Sequence, residues 1–495
     1  MSEIIIEIGN GGSIKAQSSG GAEGYGELDL DPLRRDTIRV FEDWLLSNGI
    51  SKRQELIVLG QHLYQAIFGR GDRKGRKCVS EILKEKLDSI SKGERLRLQL
   101  KFVEDSTHLI SLPWEFLYSL ERGSFLATDV NLVLSRYMPL GTDREPLQPE
   151  EGPLRILITI SRPKDQDEVI SREVVQAIED MARDGRAGEG IAQEENRPAI
   201  DVQVLRQPTL DALEGALKSK TPHVLHFIGH GKYDEKEKQG GLALIDPNTG
   251  QTDWLDDATL IEIFQHTEVF PRLVFLHMCE GGAAEGDASA LQAFSGFAPK
   301  LIHAKIPCVV AMQYPIKNQD ARSFAIAFYG TLAKGGTVDE AVQDGRYSID
   351  KLRKTRVFGT PVLYMHSADG IIMPRKDSAA VAERGMPSKS APPPDANGHA
   401  KISPAPATGG AFAGVEHHGI EKIEDRIIDA GSARIDAIAD AQRKLALLRR
   451  LPQLRGDLAG RSIHDMANIL FCEWQKERDE DVKLVWSAMM DALPQ

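Results

Sequence analysis

HVLHFIGHG (223–231) and LVFLHMCEGG (273–282) are the two stretches whose reading decides the fold. Each begins as a short, nearly continuous apolar run, the pattern of a strand buried on both faces of a parallel sheet. Each ends in a reactive side chain followed by glycine: His230 before Gly231, and Cys279 shortly before Gly281 and Gly282. In open α/β sheets reactive groups collect just beyond the carboxyl ends of the strands. If the two strands are neighbours, His230 and Cys279 meet at one sheet edge. A thiolate there can attack a carbonyl, and an imidazole can hand a proton to the leaving group. The developing oxyanion needs backbone donors, and the N–H groups of Gly231 and Cys279 are the candidates.

Working outward, the region from 154 alternates strands with amphipathic helices. LRILITIS (154–161) precedes a helix from Arg172 to about Asp184. IDVQVL (200–205), GGLALID (240–246), IPCVVAM (306–312) and GTPVLYM (359–365) are further strands. Helices are expected at LDALEGALKS, LDDATLIEIF, QDARSFAIAFYGTLAKG and TVDEAVQDGRYSIDKL. This rhythm predicts an α/β fold with a mainly parallel sheet covered by helices on both faces.

Upstream, residues 1–30 are Gly-rich and read as a loose strand or tail. DPLRRDTIRVFEDWLLSN opens at an Asp31 cap with Pro32 in the first turn. SKRQELIVLGQHLYQAIFG sets Leu56, Leu59, Leu63 and Ile67 on one face. RLRLQLKF (95–102) alternates as a half-buried strand does, and PLQPEEGP (146–153) reads as a linker. Downstream, 376–419 is Pro- and Gly-rich and reads as a flexible linker. Residues 420–495 are helical in pattern, with a stripe at Ile428, Ile435, Ile438 and Leu445. The domains expected are therefore 1–153, 154–366 and a helical module at 420–495.

A net charge of −12 gives no general reason to expect nucleic-acid or anionic-membrane binding. No run approaches the ~18 apolar residues of a membrane span. The start, MSEIIIEIGN, is acidic where a secretory leader needs basic residues. The four cysteines, Cys78, Cys279, Cys308 and Cys472, are far apart, so free thiols in a reducing cytoplasm are expected. His226 and His230 are four apart, but in a strand that is ~13 Å, too far for one metal ion. No metal and no cofactor is expected, and His226 reads as a core histidine or one that supports the site from behind. Cys308 lies in an apolar strand and reads as a small buried hydrophobe. Cys78 and Cys472, in helical patterns, take the same default.

The blocks HFIGHG, GGLALID, FLHMCEGG, VVAMQYPI and FAIAFYGTLAKGGTVDEAV, in that order, resemble a CHAT domain, the separase-like branch of the caspase-type cysteine peptidases. LPWEFLY and FLATDVNLVLSRYM resemble the amino-terminal half of that family, so the likeness runs over about 55–366. It implies a caspase-like sheet, with 1–153 as a pseudo-caspase-like half and 154–366 as the catalytic half. It implies a Cys–His dyad, and Cys279 and His230 fall on its two positions, 279 − 230 = 49 residues apart against the ~50 of caspases. VVAMQYPIKNQDARSF resembles the separase stretch carrying an acid that selects a basic residue before the scissile bond, and Asp320 falls in it. Asp320 also reads as a helix-starting acid. The resemblance further implies a protein substrate, a sensor or activating partner reached through the C-terminal module, and a role in bacterial anti-phage defence, for example by activating a gasdermin-like pore former. Two other readings stay open: a catalytically silent scaffold of the same fold, and a flavodoxin-like small-molecule binder using the same edge.

Overall fold

The computed structural model describes residues 2–375 apart from 48–49, 51, 72–73, 92, 104–106, 139–145, 188–199, 235, 237–238, 278–296, 315 and 354, and further on only Leu470, Trp486 and Met489. The chain divides into two units, Met1–Ser378 and Ala379–Gln495. In the second, the three described residues are helical and buried. The linker at 376–419, the stripe from Ile428 to Leu445, and Cys472 lie outside the described residues.

The strands of the first unit are β1 (Ser2–Ile8), β2 (Ser13–Ser18), β3 (Glu23–Glu27), β4 (Leu96–Phe102), β5 (Tyr118–Ser119), β6 (Ser124–Phe125), β7 (Leu132–Tyr137), β8 (Leu154–Ile160), β9 (Ile200–Arg206), β10 (Val224–Ile228), β11 (Gly231–Asp234), β12 (Gln239–Ile245), β13 (Thr252–Asp256), β14 (Leu273–His277), β15 (Cys308–Met312) and β16 (Pro361–Met365). Eleven of them form one sheet in the order β3-β2-β1-β4-β7-β16-β15-β14-β10-β8-β9. β1, β4, β7 and β16 run parallel to one another, as do β15, β14, β10, β8 and β9. The two blocks meet at an antiparallel seam between β15 and β16. β11, β12 and β13 make a separate antiparallel sheet. The mainly parallel α/β sheet expected from the alternating pattern is the fold the chain adopts.

Period-two alternation sends successive side chains to two cores. From β10, Val224 and Ile228 enter a core with Val174, Ile178, Phe324, Phe328 and Val342, under the helices Arg172–Ala187, Asn318–Ala333 and Val338–Arg353. Leu225 and Phe227 enter the opposite core with Leu217, Leu260, Phe264 and Leu301, which includes the helices Leu210–Lys220 and Asp257–Thr267. Each fully buried Leu or Phe contributes about 1.5–3 kcal/mol, so two dry faces fix the strand register.

Several expectations are met upstream. Pro32–Leu46 is a helix whose Asp31 carboxylate accepts from Arg34 N at 2.9 Å. Leu56, Leu59, Leu63 and Ile67 are buried along the helix Arg53–Phe68. Others are corrected. The Gly-rich start is ordered as β1–β3 and extends the main sheet through β1 and β4. Gly26 is required there, because a Cβ would stand 2.7 Å from the carbonyl oxygen of Arg70. β4 is buried on both faces rather than one: Arg97 pairs with Asp339, and Gln99 donates to Ser135 Oγ at 3.2 Å. Cys78 is not core but the half-buried residue just before the helix Val79–Ser89. Cys308 is fully buried, as expected, and burial pushes its thiol far up.

The segment before β8 is tied down rather than free. Leu147 N donates to Asp369 Oδ1 at 3.1 Å, and Glu150 N donates to the carbonyl of Ile372 at 3.3 Å. The Glu150 carboxylate accepts from Arg155 (2.8 Å), His223 Nε2 (3.0 Å) and Arg272 (2.7 Å). Partial burial opposes its ionisation, but these donors outweigh burial and bring it down to about 2. A carboxyl held below its unfolded value stabilises the fold above that value, and the contribution disappears as pH falls through the folded one. Glu150→Gln is therefore expected to be less stable than the wild type at about pH 6, with the difference closing by about pH 2. Because the side chain is 44% exposed, solvent screening keeps the effect small. Urea midpoints across this pH range test it, and a gap that does not change with pH would contradict it.

Candidate active site

Three parallel strands end level. Ile228 of β10 pairs with His277 of β14 on one side and with Ile160 of β8 on the other. The chain leaves β8 toward β9 on one side of the sheet, while β10 lies on the other, so the β8–β10 boundary is where strand order reverses. Crevices in open α/β sheets form there. The chain is pinned as it leaves: Ser161 N donates to the carbonyl of Ile228 at 2.9 Å, and Gly229 N to that of His277 at 3.3 Å. Glycine suits position 229, since a Cβ would stand 2.8 Å from the Phe227 ring and 3.2 Å from Ser161 Cβ.

His230 follows and is only 3% exposed. Its Nε2 lies 2.8 Å from the carbonyl oxygen of Asp167, in the loop after β8. A carbonyl only accepts, so Nε2 carries the proton and donates. In the neutral ring the basic lone pair is then on Nδ1, and the ring orientation is set by a main-chain acceptor. His230 is fixed from the other side as well, since its own carbonyl accepts from Ala243 N in β12 at 3.0 Å. An imidazole held this way has the orientation a proton-transfer group needs. Gly231 is buried and opens β11, paired with Leu242. Cys279 lies outside the described residues.

His226 and His277 form a second, deeper pair. His226 Nε2 is 3.2 Å from His277 Nδ1, and His226 Nδ1 is 2.9 Å from the Tyr329 hydroxyl. The His226 ring stacks on Phe275 with centroids 4.3 Å apart. Burial, then the neighbouring His277, holds His226 well below its usual value, and burial takes His277 down to about 4. Both are neutral at pH 7. His226 is thus a hydrogen-bonded core histidine, as its place in an apolar strand indicated. Among the described residues no group of three or more His, Cys, Asp or Glu could hold a metal ion. Asp320 sits in the first turn of the helix Asn318–Ala333, after β15, and is 2% exposed. Among the described residues no helix is long and apolar enough to cross a membrane.

The Asp167 carbonyl is the partner of His230 that sequence reasoning missed. A backbone acceptor has no side-chain signature, and the loop SRPKDQDEVIS reads only as polar.

A family model described as the CHAT domain matches residues 62–383 of the 495. No curated protein matches. Among solved structures, the Arg specific cysteine proteinase gingipain R is similar at 11% identity and a TM-score of 0.35, covering 69% of this chain and 76% of that one. The Saccharomyces cerevisiae separase–securin complex is similar at 12% identity and a TM-score of 0.34, covering 74% of this chain but only 30% of that one.

Proposed function

The chain belongs to the CHAT domain family, with a cysteine protease-like fold, and from that premise we propose that it is an endopeptidase using Cys279 as nucleophile and His230 as proton-transfer partner. The observation that carries this reading is the His230 Nε2–Asp167 carbonyl bond of 2.8 Å, which fixes the tautomer a general base needs. The register adds to it: Ile228 and His277 are paired, and His230 and Cys279 each follow by two residues, a tether of about 7 Å. The N–H groups of Gly231 and Cys279 are the proposed oxyanion donors.

A protein cleaved after a basic residue is the proposed substrate. Asp320 supports this as a buried carboxylate at the start of the helix after β15, the strand beside β14. A carboxylate at the floor of the pocket for that residue would pair with its basic side chain. Peptides with Arg or Lys before the scissile bond should be preferred over Asp, Leu or Met. Asp320→Ala should erase that preference by about two decades in kcat/KM. A cleavage profile over a peptide library, run with the wild type, Asp320→Ala and Cys279→Ala side by side, tests both statements. A wild-type preference for an apolar or acidic residue would remove Asp320 from the pocket. Full biological activity in Cys279→Ala would favour the silent scaffold. The setting proposed with this chemistry rests on the family resemblance: a cytoplasmic executioner held by a sensor, engaged through 420–495, cutting one partner in anti-phage defence.

A further inference from the structure

The loop that supplies the His230 acceptor is tied to the main sheet near its start, where Arg162 N donates to Gln207 Oε1 at 3.1 Å, and to a core at its far end through buried Val169. Between these points its anchorage is on the β12–β13 hairpin. Lys164 N donates to the carbonyl of Gly250 at 3.0 Å, and Lys164 Nζ reaches that of Thr249 at 3.3 Å. Asp165 Oδ1 accepts twice from the first residue of β13, from Thr252 N at 2.8 Å and from Thr252 Oγ1 at 2.9 Å. The hairpin tip is stiffened from within, because Asp246 Oδ1 accepts from Asn248 N, Thr249 N and Thr249 Oγ1 at 2.9, 2.7 and 3.0 Å. The same hairpin holds His230 directly, through Ala243 N on the His230 carbonyl at 3.0 Å. One rigid element therefore fixes both ends of the His230–Asp167 bond: β12 holds the histidine, and the Thr252 end of β13 holds the loop two residues before the acceptor.

We infer that Asp165 is a positioning residue for the proposed dyad, acting through its Thr252 clamp to hold the Asp167 carbonyl against His230 Nε2. Asp165 is exposed and lies outside both hydrophobic cores, so its place here is not explained by packing. A carboxylate suits the clamp because a single oxygen must accept two donors at once, and charge strengthens both bonds. Without the clamp the loop can move, and a shift of about 1 Å at the acceptor lets the imidazole rotate away from its productive orientation.

The inference rests on the dyad reading, and one experiment separates the two. The full chain and its His230→Ala, Asp165→Ala, Asp165→Asn and Thr252→Val variants are assayed on the peptide that the wild type cleaves best in the library. His230→Ala should be inactive. Asp165→Ala should lose about 10- to 100-fold in kcat with KM nearly unchanged, because the substrate contacts are intact. Asp165→Asn keeps an oxygen that can accept both bonds and should recover most of that loss. Thr252→Val removes one of the two donors and should fall between. If His230→Ala is inactive while Asp165→Ala keeps wild-type kcat, the clamp is overturned and the dyad stands. Equal loss in Asp165→Ala and Asp165→Asn would also overturn it, since charge and not the tether would then matter. An active His230→Ala would overturn the dyad and the clamp with it.

Discussion

Replacing either Cys279 or His230 by alanine is expected to lower kcat/KM for peptide cleavage by at least about four orders of magnitude, since the members of such a pair act as one unit. The two losses should not add in the double variant. The thermal consequences differ from what strand-end positions alone suggest. His230 is buried and donates to Asp167, so its removal should cost about 1–2 kcal/mol. That is enough to lower the melting temperature by a few degrees without unfolding the chain. Initial rates and calorimetry on the same samples check both parts. Wild-type turnover by either single variant would eliminate the dyad.

Glu115→Ala is expected to cost about 3–5 kcal/mol of stability, as breaking a buried ion pair does. Glu115 is 1% exposed and forms a two-pronged pair with Arg136, at 3.1 Å from Nε and 2.5 Å from Nη2. Arg346, fully buried, lies 3.8 Å away and donates to the carbonyls of Leu134 (2.9 Å) and Pro361 (2.7 Å). Burial lowers Arg346 to about 10 even with Glu115 opposing, so it is charged at neutral pH. Gln313, just past β15, donates to Glu115 at 3.3 Å and to the carbonyl of Gly359 at 2.6 Å. Removing the single carboxylate leaves two buried guanidiniums facing each other. It also loosens the contact between 1–153 and the end of β15. Urea denaturation gives the loss directly, and a change under about 1 kcal/mol would show that water compensates the arginines.

Much of the sheet was legible because its strands are dry on both faces. VLHFI, LVFLH and CVVAM have no choice but to be interior, and the reactive residue after each of the first two marks the carboxyl edge. β4 was harder. Arg97 and Gln99 alternate with leucines as solvent-facing residues do, but their solvent is replaced by Asp339, Ser135 and the carbonyls of Ala368 and Asp369. A sequence shows the charge and not the partner 242 residues away. The Gly-rich start misled for a related reason. Glycine lowers strand propensity, yet β3 needs it to come close to the backbone of Arg70, a constraint that exists only after folding. At the site, His230 could be read and its acceptor could not, because any residue at 167 offers the same carbonyl.

The antiparallel seam has a consequence for assembly. A sheet that stopped at β16 would leave a row of unsatisfied ladder groups, a ready template for a second molecule. Here β7 occupies that row, with Tyr364 opposite Arg136 and Met365 opposite Tyr137. β3, at one end of the order, is bridged by the chain at Gly71 and Cys78. β10 and β14 thus sit well inside, each laddered to neighbours on both sides. Sliding either by one residue would send the side chains of each core into the opposite one and break two ladders at once. The carboxyl ends of β10 and β14, which the proposed dyad follows, are therefore aligned within one polypeptide, and β7 already stands where a partner's strand would pair with β16.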